Sequence, residues 1–156
     1  MRTVLLCLLA LAASPTGTSD FSGEWRLESN IGAAAPAGFT LQIRQIGTAL
    51  EIRARWDAPK DGKYGLTLLG VVTPELRLST SGAESLNQAG PFVLHSRSRW
   101  EGEKLITDWH SSAFQGQSFR GTWTHRLSDD RHKLILEIAA ASGTETWSHA
   151  QLVFRR

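Results

Sequence analysis

The sequence has almost no cysteine, since Cys7 is the only one in 156 residues. Cys7 lies inside an apolar N-terminal run that we predict to be removed from the mature chain. A mature chain without a thiol excludes disulfides, thiolate catalysis and cysteine–zinc sites. A secreted domain of this kind depends on its hydrophobic core for stability.

An excess of one charge and the common catalytic motifs are absent as well. The net charge is only +2, and basic residues alternate with acidic ones, so we expect no nucleic-acid partner. The sequence contains no G-x-S-x-G elbow, no Walker loop and no dinucleotide fingerprint. Nearly every Asp and Glu falls on a predicted outward face or a turn. We therefore expect neither an enzyme nor a cofactor.

The N-terminal run is too short for a membrane helix. Residues 1–13 read MRTVLLCLLALAA, with one early Arg, an apolar stretch and then small residues. Such a run does not span roughly 30 Å of hydrocarbon, but it is typical of a signal peptide. We assign residues 1–19 to a signal peptide, cleaved between residues 12 and 19. We assign residues 20–156 to one secreted or periplasmic domain.

Helical periodicity is also missing, and period-two alternation takes its place. The alternation predicts strands over Phe21–Glu28, Phe39–Ile46, Ala49–Asp57, Tyr64–Val72, Leu76–Thr80, Phe92–Glu101, Lys104–Phe114, Ser118–Leu127, Lys133–Ala140 and Thr144–Arg155. Most of these runs are joined by short turns, such as Gly47-Thr48 and Gly102-Glu103. We predict an all-β fold, an antiparallel up-and-down meander closed into a barrel of about eight to ten strands.

The charge pattern indicates which face of the barrel is inside. In the third predicted strand Leu50, Ile52 and Trp56 share one side, while Arg53 and Arg55 share the other. An outer-membrane barrel needs the reverse arrangement, with an apolar outer band and a polar lumen. We therefore expect an apolar interior, no membrane insertion and a monomer.

Small polar residues interrupt the predicted inner face, and they suggest space for a ligand. A barrel of this strand number has an interior that holds one small molecule when small side chains leave it unfilled. Indoles bury a large area and orient a ligand through their N–H groups. We predict a binding site for a small, partly apolar molecule, lined by Trp56, Trp100, Trp109, His125, Ser96 and Ser98.

Two other functions stay open at this stage. The first is a structural or protein-interaction module with a filled barrel and an outer patch of Arg53, Arg55, Arg97 and Arg99. The second is a haem- or metal-binding or enzymatic barrel that uses His125 or the pair Asp108 and His110. Asp108 and His110 stand two residues apart and so share the outer face of one strand. The main prediction remains no metal and no cofactor.

A repeated motif carries a resemblance to a known family. Phe-x-Gly-x-Trp occurs as Phe21-Ser-Gly-Glu-Trp25 and as Phe119-Arg-Gly-Thr-Trp123. We interpret each glycine as making room beside a plugging indole. The first copy resembles the opening strand of lipocalin-like, or calycin, barrels. The whole chain is similar to small secreted bacterial lipocalin-like proteins of unassigned function.

Two further stretches match that family, Trp100-Glu-Gly-Glu-Lys-Leu105 and the segment from Trp123 to Leu134. The resemblance implies a calycin-type barrel and no particular ligand residues. In that family the turn before the position of Leu134 contains a glycine. This chain has Arg131-His132 in that turn instead. We therefore expect a longer loop there.

Overall fold

The computed structural model describes residues 18–32, 35–57, 75–144 and 147–156. These residues form ten β-strands and no helix. The strands are β1 (Gly23–Ile31), β2 (Thr40–Ile46), β3 (Ala49–Arg55), β4 (Glu75–Ser79), β5 (Glu84–Ala89), β6 (Phe92–Glu101), β7 (Lys104–Ser111), β8 (Phe119–Leu127), β9 (Lys133–Ser142) and β10 (Ser148–Arg155).

All ten strands belong to one antiparallel sheet with the order β4-β3-β2-β1-β10-β9-β8-β7-β6-β5. Every strand pairs with its chain neighbours except β4 and β5, which form the two edges of the sheet. In addition β1 pairs with β10, which brings the first and last strands together. The edge strands β4 and β5 then face each other, and side chains rather than a backbone ladder join them. The result is a nearly closed barrel, so the predicted all-β, up-and-down fold class is confirmed.

Two-residue turns keep successive strands adjacent. Gly47, Gly90 and Gly102 each open such a turn with a positive φ of 57°, 57° and 61° respectively, a conformation that glycine adopts without steric cost. The loop before β9 is longer, as predicted, and Arg131 takes a positive φ of 60° within it.

The core follows the predicted faces. Along β2 and β3, Leu41, Ile43, Leu50 and Ile52 are buried, while the residues between them are exposed or half-buried. β10, whose inner face the sequence left ambiguous, buries Leu152 and Phe154 and exposes Trp147 and His149.

The structure differs from the predicted strands in four places. β1 ends at Ile31 rather than Glu28. β5 was missed, because its inward residues Ser85, Asn87 and Ala89 are small or polar and give no apolar alternation. The last strand begins at Ser148 rather than Thr144, and β7 ends at Ser111 rather than Phe114. The predicted strand Tyr64–Val72 lies outside the described residues, as does nearly all of the predicted signal peptide.

The glycines of the repeated motif do not act as we interpreted them. A Cβ on Gly121 would lie 2.6 Å from Cζ2 of Trp109, on the neighbouring strand β7. Gly121 therefore makes room for Trp109 and not for Trp123 of its own motif. A Cβ on Gly23 would meet only Nε1 of Trp25, at 3.8 Å. Gly23 instead has a φ of 140°, which residues with a side chain rarely adopt.

Aromatic residues close one end of the barrel. Phe21, fully buried before β1, stacks on Trp100 with ring centroids 5.6 Å apart. Its carbonyl accepts a 2.8 Å hydrogen bond from Nε1 of Trp25. The Arg156 guanidinium lies over the Trp25 ring at 4.8 Å. The N-terminal and C-terminal segments therefore meet at this end.

Candidate functional site

The inner surface of the barrel has two chemically different sides. The β2–β4 side is apolar, with buried Leu41, Ile43, Leu50, Ile52 and Leu78. The β6–β8 side, which we call the polar wall, carries buried Ser96, Ser98, Thr107, Trp109, Ser111 and His125. Because β3 and β8 stand about half the sheet order apart, the two sides face each other across the interior.

Hydroxyl groups occupy the middle of the polar wall. The Ser98 and Thr107 hydroxyls are 2.9 Å apart, cross-strand neighbours on β6 and β7. In such a pair one hydroxyl donates and the other keeps its own O–H available. Ser96 donates to the Ser85 carbonyl at 3.4 Å, a long bond. The two predicted serines are therefore buried on the inner face, and Ser98 is bonded to a threonine that the predicted site omitted.

Trp109 is the large side chain of the polar wall. It is 3% exposed and stacks on Trp123 with ring centroids 5.2 Å apart. Its ring crosses Gly121, where any side chain would collide with it. The indole Nε1 is buried and has no hydrogen-bond partner among the described residues. An indole N–H is a donor only, so this position is suited to an acceptor atom.

His125 lies nearer the closed end, in register with Leu105 and Leu136. It is 2% exposed, and its ring centroid is 6.1 Å from that of Phe21. Burial lowers the pKa of His125 to about 4, because the imidazolium loses its hydration there. The ring is therefore neutral near pH 7. Its Nδ1 atom, like Nε1 of Trp109, has no partner within the part of the chain that the structure describes.

The other two predicted tryptophans lie at opposite ends of the barrel. Trp100 is half-buried and belongs to the aromatic closure, through its stacking on Phe21. Trp56 follows the end of β3 and packs edge-on against Phe39 at 6.3 Å. The structure thus groups Ser96, Ser98, Trp109 and His125 on one wall and does not bring Trp56 beside them.

Asp108 and His110 share an outer strand face, as expected, but have different partners. Asp108 binds the Arg99 guanidinium and accepts a 2.9 Å hydrogen bond from Thr122. His110 stacks on His95 across the strand pair, with centroids 5.0 Å apart. No group of three histidine, cysteine or carboxylate side chains suited to a metal occurs in the described ranges.

The arginines of the predicted outer patch are all exposed. Arg53 pairs with Glu75 at 3.4 Å, and Arg99 pairs with Glu101 at 3.0 Å as well as with Asp108. Acidic side chains therefore neutralise two of the four arginines, Arg53 and Arg99.

Sequence reasoning left Thr107, Trp123 and Asn87 out of the candidate site. Thr107 is fully buried and Trp123 is 5% exposed. Both alternate with outward residues on strands whose inner face was predicted, so the period-two pattern could have placed them in the site. Asn87, 8% exposed on the missed strand β5, bonds to the backbone of β4 and had no such signal.

One solved structure among the comparisons with known proteins has a similar architecture. No family model and no curated protein sequence matches the chain. A secretory abundant heat soluble (SAHS) protein from Ramazzottius varieornatus has a similar solved structure, with a TM-score of 0.56 at 12% identity, over 92% of this chain and 99% of that one. SAHS protein 4 from the same organism superposes with a TM-score of 0.48 at 12% identity, over 88% of this chain and 99% of that one.

At this identity the likeness shows the fold alone. The described residues contain no helix long and apolar enough to cross a membrane. The chain is a small, nearly closed antiparallel β-barrel whose fold is similar to that of the SAHS protein.

Proposed function

We propose that this protein binds a small, partly apolar molecule inside its barrel. The observation that carries the proposal is a pair of buried nitrogens without a hydrogen-bond partner among the described residues, Nε1 of Trp109 and Nδ1 of His125. A buried polar atom without a partner costs about 1–3 kcal/mol, and the large majority of buried side-chain polar atoms in folded proteins have a partner. A bound molecule with polar atoms would satisfy them.

The composition of the interior supports the same proposal. The apolar side supplies surface that a hydrocarbon or aromatic group would cover, and the polar wall supplies hydrogen bonds that would orient it. Ser96 and Ser98 place small polar side chains at buried inner positions of the wall. The proposal is for a secreted or periplasmic monomeric binding protein without enzymatic activity.

Nile red, an uncharged dye whose emission rises in apolar surroundings, is a direct probe of the barrel interior. We expect saturable binding to the purified full chain, with energy transfer from tryptophan to the dye. Trp109→Phe keeps an aromatic ring but removes the donor, so dye affinity should fall about two- to tenfold. Trp147→Phe, at an indole 42% exposed on the outside, is the matched control and should leave affinity unchanged.

A barrel filled by its own side chains would give a different result. Nile red emission would then show no saturable increase, and a broad panel of small molecules would leave tryptophan fluorescence unchanged. That outcome would overturn the proposal in favour of a structural or interaction module that acts through its outer surface.

A further inference from the structure

The described part of the interior contains no charged side chain. The buried polar residues are Ser19, Thr80, Asn87, Ser96, Ser98, Thr107, Ser111 and His125, with no Arg, Lys, Asp or Glu among them. His125 adds no charge near pH 7, because burial lowers its pKa to about 4. The nine ion pairs within the described ranges involve side chains that are at least 32% exposed.

An interior without charge discriminates between ligands by their charge. An anion that leaves water for such a site loses its hydration and gains no counter-ion, which costs several kcal/mol. An uncharged polar group loses less hydration free energy, and ordinary hydrogen bonds to the protein compensate for that loss. The discrimination therefore comes from what the polar wall lacks as much as from what it offers.

The two unpartnered nitrogens specify the polar atoms that fit. Trp109 Nε1 is a donor only and therefore requires an acceptor oxygen or nitrogen on the ligand. A neutral imidazole donates from one nitrogen and accepts at the other, so Nδ1 of His125 pairs with a neutral hydroxyl or carbonyl group. The Ser98–Thr107 pair between them keeps one O–H free to donate.

We infer that the barrel selects uncharged amphiphiles, molecules with an apolar body and a neutral carbonyl, amide or hydroxyl group, over carboxylates of the same size. The neutral oxygen accepts the hydrogen bond of the Trp109 indole, and the apolar body lies against the β2–β4 side. This inference rests on the proposed function and adds the chemical class of the ligand.

The test compares two molecules of nearly equal shape that differ in charge, decanamide and decanoate, as competitors of bound Nile red at neutral pH. Decanamide should displace the dye with an apparent Kd at least about tenfold lower than that of decanoate. A third competitor, decylbenzene, has no acceptor oxygen and reports apolar binding alone.

Trp109→Phe separates the hydrogen bond from packing. The variant should weaken decanamide binding about three- to tenfold and decylbenzene binding clearly less, because only the amide loses a hydrogen bond. Equal weakening of both competitors would assign Trp109 a packing role and overturn its hydrogen bond to the ligand.

The remaining outcomes separate this inference from the proposed function. Equal or tighter binding of decanoate would overturn the charge selectivity and leave interior binding intact. If neither Nile red nor any competitor binds, the proposed function fails and the inference fails with it.

Discussion

His125 is a titratable side chain enclosed in the aromatic end of the barrel, and its surroundings determine its protonation. Its folded-state pKa is about 4, against 6.5 for an exposed histidine. Between these values the unfolded chain binds a proton that the folded chain does not. The free energy of unfolding therefore falls as the pH drops from about 6.5 to about 4, and levels off below.

For His125 this loss amounts to about 3 kcal/mol, from 1.36 kcal/mol per pKa unit. We expect His125→Gln to remove that share of the pH dependence, as measured by urea unfolding across this range. His149→Gln, at an exposed position, is the control and should keep the wild-type slope. An unchanged slope in His125→Gln would show that His125 does not remain neutral in the folded barrel.

Gly121 is required by contact rather than by backbone conformation. A methyl group there would overlap Trp109 and the Ala139 carbonyl. We expect Gly121→Ala to destabilise the protein by about 1–3 kcal/mol and to change the near-ultraviolet circular dichroism of the Trp109–Trp123 stack. Thr124→Ala, three residues along the same strand, should leave that spectrum unchanged. A wild-type spectrum in Gly121→Ala would contradict the placement of the indole over Gly121.

At the scale of strands, the junction between β4 and β5 differs from every other strand pair. Arg77 donates its backbone N–H to Oδ1 of Asn87 at 2.7 Å, and Nδ2 of Asn87 donates to the Arg77 carbonyl at 2.9 Å. Ser79 donates its backbone N–H to the Ser85 hydroxyl at 2.8 Å. Two side chains of β5 thus do what a backbone ladder does elsewhere, and Asn87 supplies two of the three bonds.

Asn87→Ala should open this junction. The substitution leaves the Arg77 N–H and the Arg77 carbonyl without their hydrogen bonds to Asn87. We expect the free energy of unfolding to fall by about 1–3 kcal/mol. Amide hydrogen exchange should accelerate at Arg77 and change little in β8 and β9, which lie far from the junction. Ser85→Ala removes one bond and should have a smaller effect that centres on Ser79. Uniform acceleration across the sheet would indicate global rather than local opening.

At the scale of the whole molecule, Arg156 connects the first strand to the segment that follows the last strand. The Arg156 guanidinium lies over the Trp25 ring, and its backbone N–H donates to the His132 carbonyl at 3.3 Å. Hydrogen bonds from Ser22 lower the pKa of Asp20, and the charge of Arg156 lowers it further. These contacts connect β1 to the end of β10. The aromatic closure therefore includes Arg156 as well as the first strand.

Arg156→Ala should lower the free energy of unfolding by about 0.5–2 kcal/mol, the range of a cation–π contact. Arg156→Lys keeps the charge but loses the planar stacking group, so we expect an intermediate value. Arg155→Ala, at the adjacent exposed position, is the control and should change stability by less than about 0.5 kcal/mol. Equal effects at both positions would assign them to general charge rather than to the Trp25 contact.

The strand pattern and the faces were predictable from the sequence because side-chain direction along a strand is a local property. Period two placed Leu50 and Trp109 inside and Arg53 and His110 outside, as observed. The pattern fails for β5, because two of its inner residues are polar rather than apolar. These side chains bond to β4 and close the barrel, so they occupy positions where other strands carry apolar core residues.

The neighbours of each inner residue were decided by the tertiary structure alone. Strand register places Trp109 over Gly121, Ser98 against Thr107 and His110 against His95 rather than Asp108. These pairs lie on different strands, and their alignment depends on turn lengths and on closure of the whole sheet. The sequence by itself determined which residues face inward, because that direction is local. The structure decided which of them meet, because register is a property of the closed barrel. In the part of the chain that it describes, register leaves the nitrogens of Trp109 and His125 without a partner.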